Sequence, residues 1–380
     1  MPDLPTVDPS TVTDEDGVIA MDADRSGGVR GAALDPWAAW TDAHGIFGLM
    51  AAAVLAPSPH NTQPWRFSTG PTWLQIYADD GRVMPTVDPY RRERTIALGA
   101  AIENVLVAAP AKGLRATVTM FPEGPDSDLA ARIDVTAGHV ELTPLAEAIS
   151  ARHTNRGPYR SATVEPSLLA ELTALAGEAG PRLRWVVDAG PRQALGELLV
   201  DAAQAVAEDE AMSRDGYDWF RSSAAADVHR DGLTVDGQGL AAPVRAAAKL
   251  VPSLTSRSVA DATWVKQTRT VHTRTAAAYG VVLVDDPYDR PQQLAGGRLV
   301  QRVHLAATAK GLALQHMNQI TERIDRDRRS GLPGGFSARL ARILGDDAPE
   351  VLCLFRVGWP SRPGRRSPRR AAHQVVTRDS

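Results

Sequence analysis

Cysteine is almost missing from this chain: Cys353 stands alone in 380 residues. No internal disulfide can form, and a reducing cytoplasmic setting is the expectation. Lysine is nearly as scarce. Only Lys112, Lys249, Lys266 and Lys310 occur, so arginine supplies the other 38 of the 42 basic residues. No apolar run approaches the roughly 20 residues that span a bilayer. The first residues lack the basic-then-apolar pattern of a secretory signal, so no membrane partner is expected. An excess of positive charge is absent too. The net charge is -3, which argues against nucleic acid as a partner. The nine histidines are scattered, none at a zinc-ligand spacing from Cys, His or an acid, so no metal is expected. There is no P-loop, no GxGxxG and no GxSxG, which removes the common nucleotide and hydrolase signatures.

What remains is an ordinary globular composition, 43% apolar and 23% charged, in a chain long enough for two or three domains. Residues 1–35 are acidic and aperiodic, and read as a disordered arm. Helices are expected from Asp35-Pro36 onward and up to about Ala56. TWLQIYAD alternates as a strand. ERTIALGAAIENVLVAAPAKGL reads as a long helix kinked at Pro110 and closed by Gly113. RATVTMFP and ARIDVTA read as strands. LTPLAEAISARHTNRG reads as a helix over 142–157, with Thr143 as N-cap and Pro144 in its first turn. Helices over 165–180 and from Pro191, strands at LRWVVD and VLCLFRVGW, and a long helix between the insertion and the last strand follow. Residues 213–260 read as an irregular insertion with aromatic islands.

Two stretches echo each other. VLVAAPAKGL (105–114) and VHLAATAKGL (303–312) agree at seven of ten positions, and both end in Lys-Gly-Leu. With four lysines in the chain, this points to an internal duplication at an offset of 198 residues. Two similar halves in one chain are expected to pack as a pseudo-two-fold dimer.

The chemistry concentrates in three short motifs. PSPHNTQPW (57–65) sets polar residues between prolines, so Asn61 can offer a fixed donor and acceptor. Gln63 and Trp65 read as braces for that loop, and His60 as a solvated turn residue. ARHTNRGPY (151–159) offers the planar forks of Arg152 and Arg156, the Thr154 hydroxyl and His153; by itself it reads as a solvated helix end, and beside the other two motifs as a phosphate site. SPRR (367–370) offers Ser367 and Arg369, or is simply a frayed basic tail.

Together these motifs resemble the FMN-dependent nitroreductase family, and within it the Acg-type subgroup in which two family-like halves are fused. The resemblance implies an α+β nitroreductase-like fold, with a first half over 36–141 and a second over 142–380. It implies FMN as cofactor, contacted by Pro57, Ser58, Pro59 and Asn61 from the first half. Arg152, His153, Thr154, Arg156, Ser367 and Arg369 come from the second. Backbone donors near the flavin N5 would come from Met317 and Asn318, in a segment lacking the family's Glu-Gly pair. The first half lacks an RHTNR and the second has only GEAGPRLRW where a PSPHN loop would fall, so one FMN per chain is expected. The 213–260 insertion resembles a lid. NAD(P)H would be the reductant and a small molecule the acceptor. The alternative is storage of FMN under a closed lid. The chain would act as a monomeric pseudo-dimer or pair further.

Overall fold

The computed structural model describes residues 35–250, 255–345 and 350–377; the acidic arm expected at 1–35 lies outside them apart from Asp35. The chain opens with helices α1 (Pro36–Asp42) and α2 (Gly45–Ala53), then strands β1 (Trp65–Gly70) and β2 (Trp73–Ala78). Helix α3 (Arg92–Ala111) leads to β3 (Leu114–Met120) and β4 (Leu129–Ala137). Helices α4 (Pro144–Ala151) and α5 (Pro166–Thr173), strand β5 (Arg182–Val186) and helix α6 (Ala189–Glu208) follow. The insertion comprises α7 (Glu210–Tyr217), β6 (Phe220–Arg221), α8 (Ser223–His229), β7 (Leu233–Thr234), α9 (Ala242–Leu250) and α10 (Arg257–Gln267). The chain closes with β8 (Ala278–Val284), α11 (Arg290–Ala309), β9 (Ala313–His316), α12 (Gln319–Ser330), α13 (Gly335–Leu344) and β10 (Glu350–Gly358).

Two antiparallel four-stranded sheets result, ordered β1-β2-β4-β3 and β5-β8-β10-β9. Counted along the chain, both run first, second, fourth, third. In each, a 20-residue helix joins the second strand to the third: α3 in one, α11 in the other. The chain is therefore α+β with a repeated sheet topology. The sheets differ at their first connection. A tight hairpin joins β1 to β2, whereas α6 to α10 separate β5 from β8.

The two long helices pack directly on each other, and the reason lies in two glycines. A Cβ on Gly99 would drive into the Leu294 carbonyl, and one on Gly297 into the Ile96 carbonyl. These contacts interchange under the same 198-residue offset, as a self-complementary two-fold interface requires. Only glycine lets the backbones approach so closely. Gln301 donates to Asn104 Oδ1 (2.6 Å) in this seam, and Arg298 and Arg302 clasp the buried Glu103. Helix α3 is long and apolar enough to cross a membrane by length and composition, yet most of that window is buried inside the protein.

The structure corrects several boundaries. Pro110 does not kink α3: it sits in the last turn and the helix ends one residue later. Gly113 takes the left-handed conformation that terminates it (φ 68°). Thr143 caps α4 by accepting from Ala146 N (3.2 Å), but α4 stops at Ala151 instead of running to Gly157. Arg152–Gly157 is extended because Thr154 pairs with Leu314 at the edge of β9, with Asn155 N donating to Leu314 O. Strands β1, β8 and β9 have no counterpart in the sequence reading.

Candidate functional site

The PSPHNTQPW loop stores strain. His60, Asn61 and Gln63 all hold positive φ (46°, 57° and 51°), a region that side chains disfavour. Three devices hold it. Ser58 Oγ accepts from Gln63 N (2.9 Å), Gln63 Oε1 accepts from Arg370 N (2.9 Å), and Gln63 Nε2 donates to Arg230 O (2.8 Å). Pro57 and Pro59 flank Ser58, and Trp65 is fully buried in the core of the first sheet. Gln63 and Trp65 thus brace the loop, as their chemistry suggested.

The loop meets both other motifs. Asn61 Oδ1 accepts from Arg369, while its Nδ2 donates to Pro368 O (2.9 Å) and Gly232 O (3.2 Å). Arg152 and Arg369 both reach the end of α2: Arg152 donates to Leu55 O (2.9 Å) and Arg369 to Ala56 O (3.2 Å). Carbonyls at a helix C-terminus attract cations. The guanidiniums of Arg152, Arg366 and Arg369 surround Trp37 at 5.8, 5.6 and 4.9 Å from its ring. Trp37 Nε1 in turn donates to Ser367 O (2.8 Å), so Ser367 enters through its carbonyl.

The electrostatics of this cluster are one-sided. Arg152 and Arg369 are 1% and 3% exposed, yet neither makes an ion pair among the described residues. Nε and Nη1 of Arg152 and Nε of Arg369 have no hydrogen-bond partner. Burial pushes Arg152 down to about 9, and burial with Arg152 as neighbour pushes Arg369 well below its ordinary value. Both remain cationic at neutral pH. Burial also lowers His304 and, to about 3, His316, with Arg152 adding to both. Both rings are therefore neutral. Arg356 provides the contrast. It is equally buried, but Nε bonds Gln315 (2.8 Å), Nη1 bonds His272 O (2.9 Å), Nη2 bonds Gly157 O (2.7 Å), and the group stacks on Tyr159. Arg356 is a satisfied structural group; Arg152 and Arg369 are not.

His153 joins the two arms of the site. Its Nδ1 faces Ala151 O (2.8 Å) and its Nε2 accepts from Gly364 N (3.0 Å), which fixes the neutral Nδ1–H tautomer. Thr154 and Arg156 lie further along, lining a pocket of about 130 Å³ with Gly237, Gly239, Arg362 and Arg365. Arg156 donates to Gly237 O (3.2 Å), and burial lowers it to about 10.

The insertion covers this ground. Gly232 N donates to Asn61 O (3.2 Å), and Asp231 bridges Arg82 and Arg221 while Arg82 stacks on Trp219. His60 is half-buried instead of a free solvated turn: it packs beside Gly216 of α7, and desolvation with Arg156 as neighbour lowers it to about 4.

Met317 and Asn318 stand apart from the arginines. Met317 N donates to Leu354 O (2.9 Å), and its side chain packs with Leu195, Tyr279 and Leu340. Asn318 donates to Glu93 (2.7 Å) and accepts from Leu354 N (2.8 Å). The Met317 N–H is thus spent within the core, which corrects its expected role as a flavin N5 donor, and the Asn318 side chain is held there too. The sequence reading also missed Trp37, His304 and His316. For His304 a signal existed: the repeat carries Leu106 at the equivalent position of its first copy. For Trp37 there was none, because its role arises from a contact with a segment 330 residues away. Among the described residues, no group of His, Cys, Asp and Glu is placed to hold a metal.

The orphaned, buried guanidinium N–H groups fit a doubly charged phosphate, the anionic end of FMN, and offer nothing to a cation.

No family model matches the chain. Among individual proteins, it is 30% identical over 361 residues to "Putative NAD(P)H nitroreductase Rv3131" of Mycobacterium tuberculosis, covering 88% of this chain and 92% of that one. It is 36% identical over 113 residues to the M. tuberculosis protein named for NAD(P)H nitroreductase acg, covering 28% and 33% of the two chains. The FMN-dependent nitroreductase NfnB of Mycobacterium smegmatis, solved with NADPH, aligns at 16% identity and a TM-score of 0.38, covering 63% of this chain and all of that one. A nitroreductase of Desulfitobacterium hafniense with bound FMN aligns at 15% identity over the same shares, with a TM-score of 0.38. The near full-length match to the first relative, over a chain with this repeated two-sheet topology, decides the assignment: the chain belongs to the NAD(P)H nitroreductase family.

Proposed function

We propose that the chain is an FMN-dependent NAD(P)H oxidoreductase of nitroreductase type, with two duplicated halves and one FMN at their seam. The observation that carries the reading is the pair Arg152 and Arg369: buried, and among the described residues unpaired with any acid and left with unused N–H groups. A phosphate there would take charge-assisted bonds of about 1.5–3 kcal/mol each. The names of the relatives support the reductant and the cofactor. The bound FMN would supply the hydride acceptor and the electrons for a small nitroaromatic or quinone.

The chain's own residues bind and orient. Arg152 and Arg369 would neutralise the phosphate, with Trp37 keeping the two like charges in place. Asn61 would exchange its bonds to Gly232 and Pro368 for ligand polar groups. Ser58 and the prolines would hold the loop in its strained form while that happens. Residues 230–239 would exclude water. One site per chain follows from complementary losses: GEAGP (177–181) precedes β5 where a PSPHN loop precedes β1, and α1 is followed by Ala43-His44-Gly45, not by RHTNR. NAD(P)H and a small acceptor are the expected partners, and the chain acts as a pseudo-dimer alone or paired.

A visible spectrum of purified protein tests the cofactor. Oxidised-flavin absorption at one FMN per chain supports the reading, and a protein that stays colourless in excess FMN ends it. Anaerobic mixing with NADPH should bleach the bound flavin. Storage is the second reading, favoured by the bonds between Asn61 and Gly232 and between Arg156 and Gly237 that close the insertion over the loop. It gains if dithionite bleaches the flavin and neither nicotinamide does.

A further inference from the structure

We propose that the open edge of β3 pairs antiparallel with the same strand of a second copy of this chain, joining the two first sheets into one of eight strands. The inference is independent of the flavin reading, and failure of either leaves the other standing.

The two four-stranded sheets have four edges, and three are covered or guarded. The C-terminal segment covers β1: Phe67 N donates to Val375 O (2.8 Å) and Thr377 N to Phe67 O (2.8 Å). Thr154 and Asn155 cover β9, with Asn155 N donating to Leu314 O (3.1 Å). Strand β5 has only five residues and carries the exposed charges of Arg182 and Arg184, which discourage pairing. Strand β3 has none of these protections. Its seven residues, LRATVTM, include no proline and no lysine, and its register with β4 runs without a bulge.

Alternation fixes which groups face outward. Gly113 O accepts from Gly138 N (2.8 Å) and Phe121 N donates to Ala130 O (2.9 Å), so the odd-numbered residues of β3 bond to β4. Leu114, Ala116, Val118 and Met120 therefore turn their N–H and C=O to the open side, where no partner for them occurs among the described residues. The repeat shows what such an edge accepts. Ala116 corresponds to Leu314 under the 198-residue offset, and Leu314 is where the second sheet takes on Thr154.

The outward groups fit a copy of themselves about a two-fold axis at Thr117. Ala116 would face the partner's Val118, and Leu114 the partner's Met120. Each pair would exchange two hydrogen bonds, with apolar side chains opposite each other. On the solvent face Arg115 would meet the partner's Thr119, so no charge opposes its like. The ends match as well. Met120 is 38% exposed at one end of the strand, and Val140 is 77% exposed beside Gly113 at the other. The two-fold would bring Met120 toward the partner's Val140. A strand from an unrelated protein has no reason to share this pattern, whereas a second copy shares it by symmetry.

Sedimentation of the full chain over a range of concentrations gives the first readout. Strand pairing is a narrow contact beside the roughly 1,200–2,000 Å² of a stable interface, so a two-chain species should form on concentration and dissociate on dilution. Ala116→Pro removes an outward donor and leaves the bonds to β4, and it should weaken association by roughly tenfold or more. Thr117→Cys tests the register. Directly opposed residues of a non-hydrogen-bonded antiparallel pair lie about 4.5 Å apart at Cα, within disulfide reach. Oxidised Thr117→Cys protein should run as a cross-linked dimer. Thr119→Cys protein should not, because residue 119 would face residue 115. The native Cys353 is buried and does not compete. A one-chain mass at every concentration would overturn the inference. So would a two-chain species that Ala116→Pro leaves intact, or equal cross-linking at both positions. Should Ala116→Pro fail to fold, the two cysteine variants decide, since both side chains lie on the solvent face.

Discussion

Two buried polar regions of this molecule have opposite character. Around Trp37, arginines and neutral histidines gather with no ion-paired acid among the described residues. At the start of α3, Asp88, Glu93, Glu322 and Asp325 gather around one arginine, Arg92. The acidic region satisfies most of its groups internally. Asp325 pairs with Arg92 (2.6 Å) and accepts from Tyr288 (2.9 Å), and Asp88 caps α3 by accepting from Glu93 N and Arg94 N. Glu93 takes a bond from Asn318 (2.7 Å). Burial and neighbouring acids raise Glu93 and Glu322, and burial raises Asp88 to about 6. Mutual repulsion is thereby relieved by protonation. The cationic region has no such exit, because a guanidinium does not give up its proton near neutral pH. A structural network is self-contained; a region left charged and unpaired calls for a ligand.

The comparison can be broken most forcefully by deleting an arginine from each side. Arg92→Ala should cost about 3–5 kcal/mol in denaturant unfolding, since it strands buried acids. Arg152→Gln should leave flavin-free stability level or higher, because it removes an unpaired buried charge. A large loss from Arg152→Gln would mean that the cationic cluster is structural after all.

Ligand binding should reverse that order. Arg152→Gln or Arg369→Gln should weaken FMN binding by roughly tenfold to a hundredfold in a fluorescence titration. Arg92→Lys, which keeps the charge of the acidic region, should leave FMN affinity near wild type.

Acidity separates the regions by sign. His60 and His316 have folded values near 4 and 3, below their unfolded values, so the unfolded chain binds more protons as pH falls from about 6.5. Their stabilising share is lost over that fall. The acids run the other way: Asp88, with a folded value near 6, and Glu93 and Glu322, both raised, contribute a share that is present at low pH and lost as pH rises from about 4 through their folded values. His153, His272 and His304 are lowered as well, so the lowered rings outnumber these three acids and thermal melts from pH 7 to 5 should show a falling Tm for wild type. FMN or inorganic phosphate should lessen the fall by lending the cationic side a counter-charge. A Tm that rises over the same range would show the acidic region to dominate.

The smallest expected effect concerns the insertion. Asp231→Asn loosens its hold on Arg82 and Arg221. It should cost about 1 kcal/mol or less in stability, because both partners stay partly solvated. Reduction of bound flavin should speed up. An unchanged rate would mean that this segment does not limit access.

Much of the site was legible in the sequence because its groups sit in short contiguous motifs. Asn61, Arg152 and Arg369 were each singled out locally, and the structure brings them together. The motif around Arg152 was misjudged in conformation, since its extended form depends on edge pairing with β9. His60 was misjudged in environment, since α7 covers it from more than 150 residues away. Met317 was misplaced because a core strand, β10, takes its N–H at Leu354 O.

The sequence by itself determined the helix caps at Thr143 and Gly113 and the repeated Lys-Gly-Leu helix ends. These rest on dihedral preference and on spacing, which are local or periodic. Tertiary structure alone decided that two arginines would be buried without an acidic partner among the described residues, that both would lie against Trp37, and that the insertion would close over Asn61. Burial and charge pairing depend on which distant segments meet, and no window of sequence holds both partners.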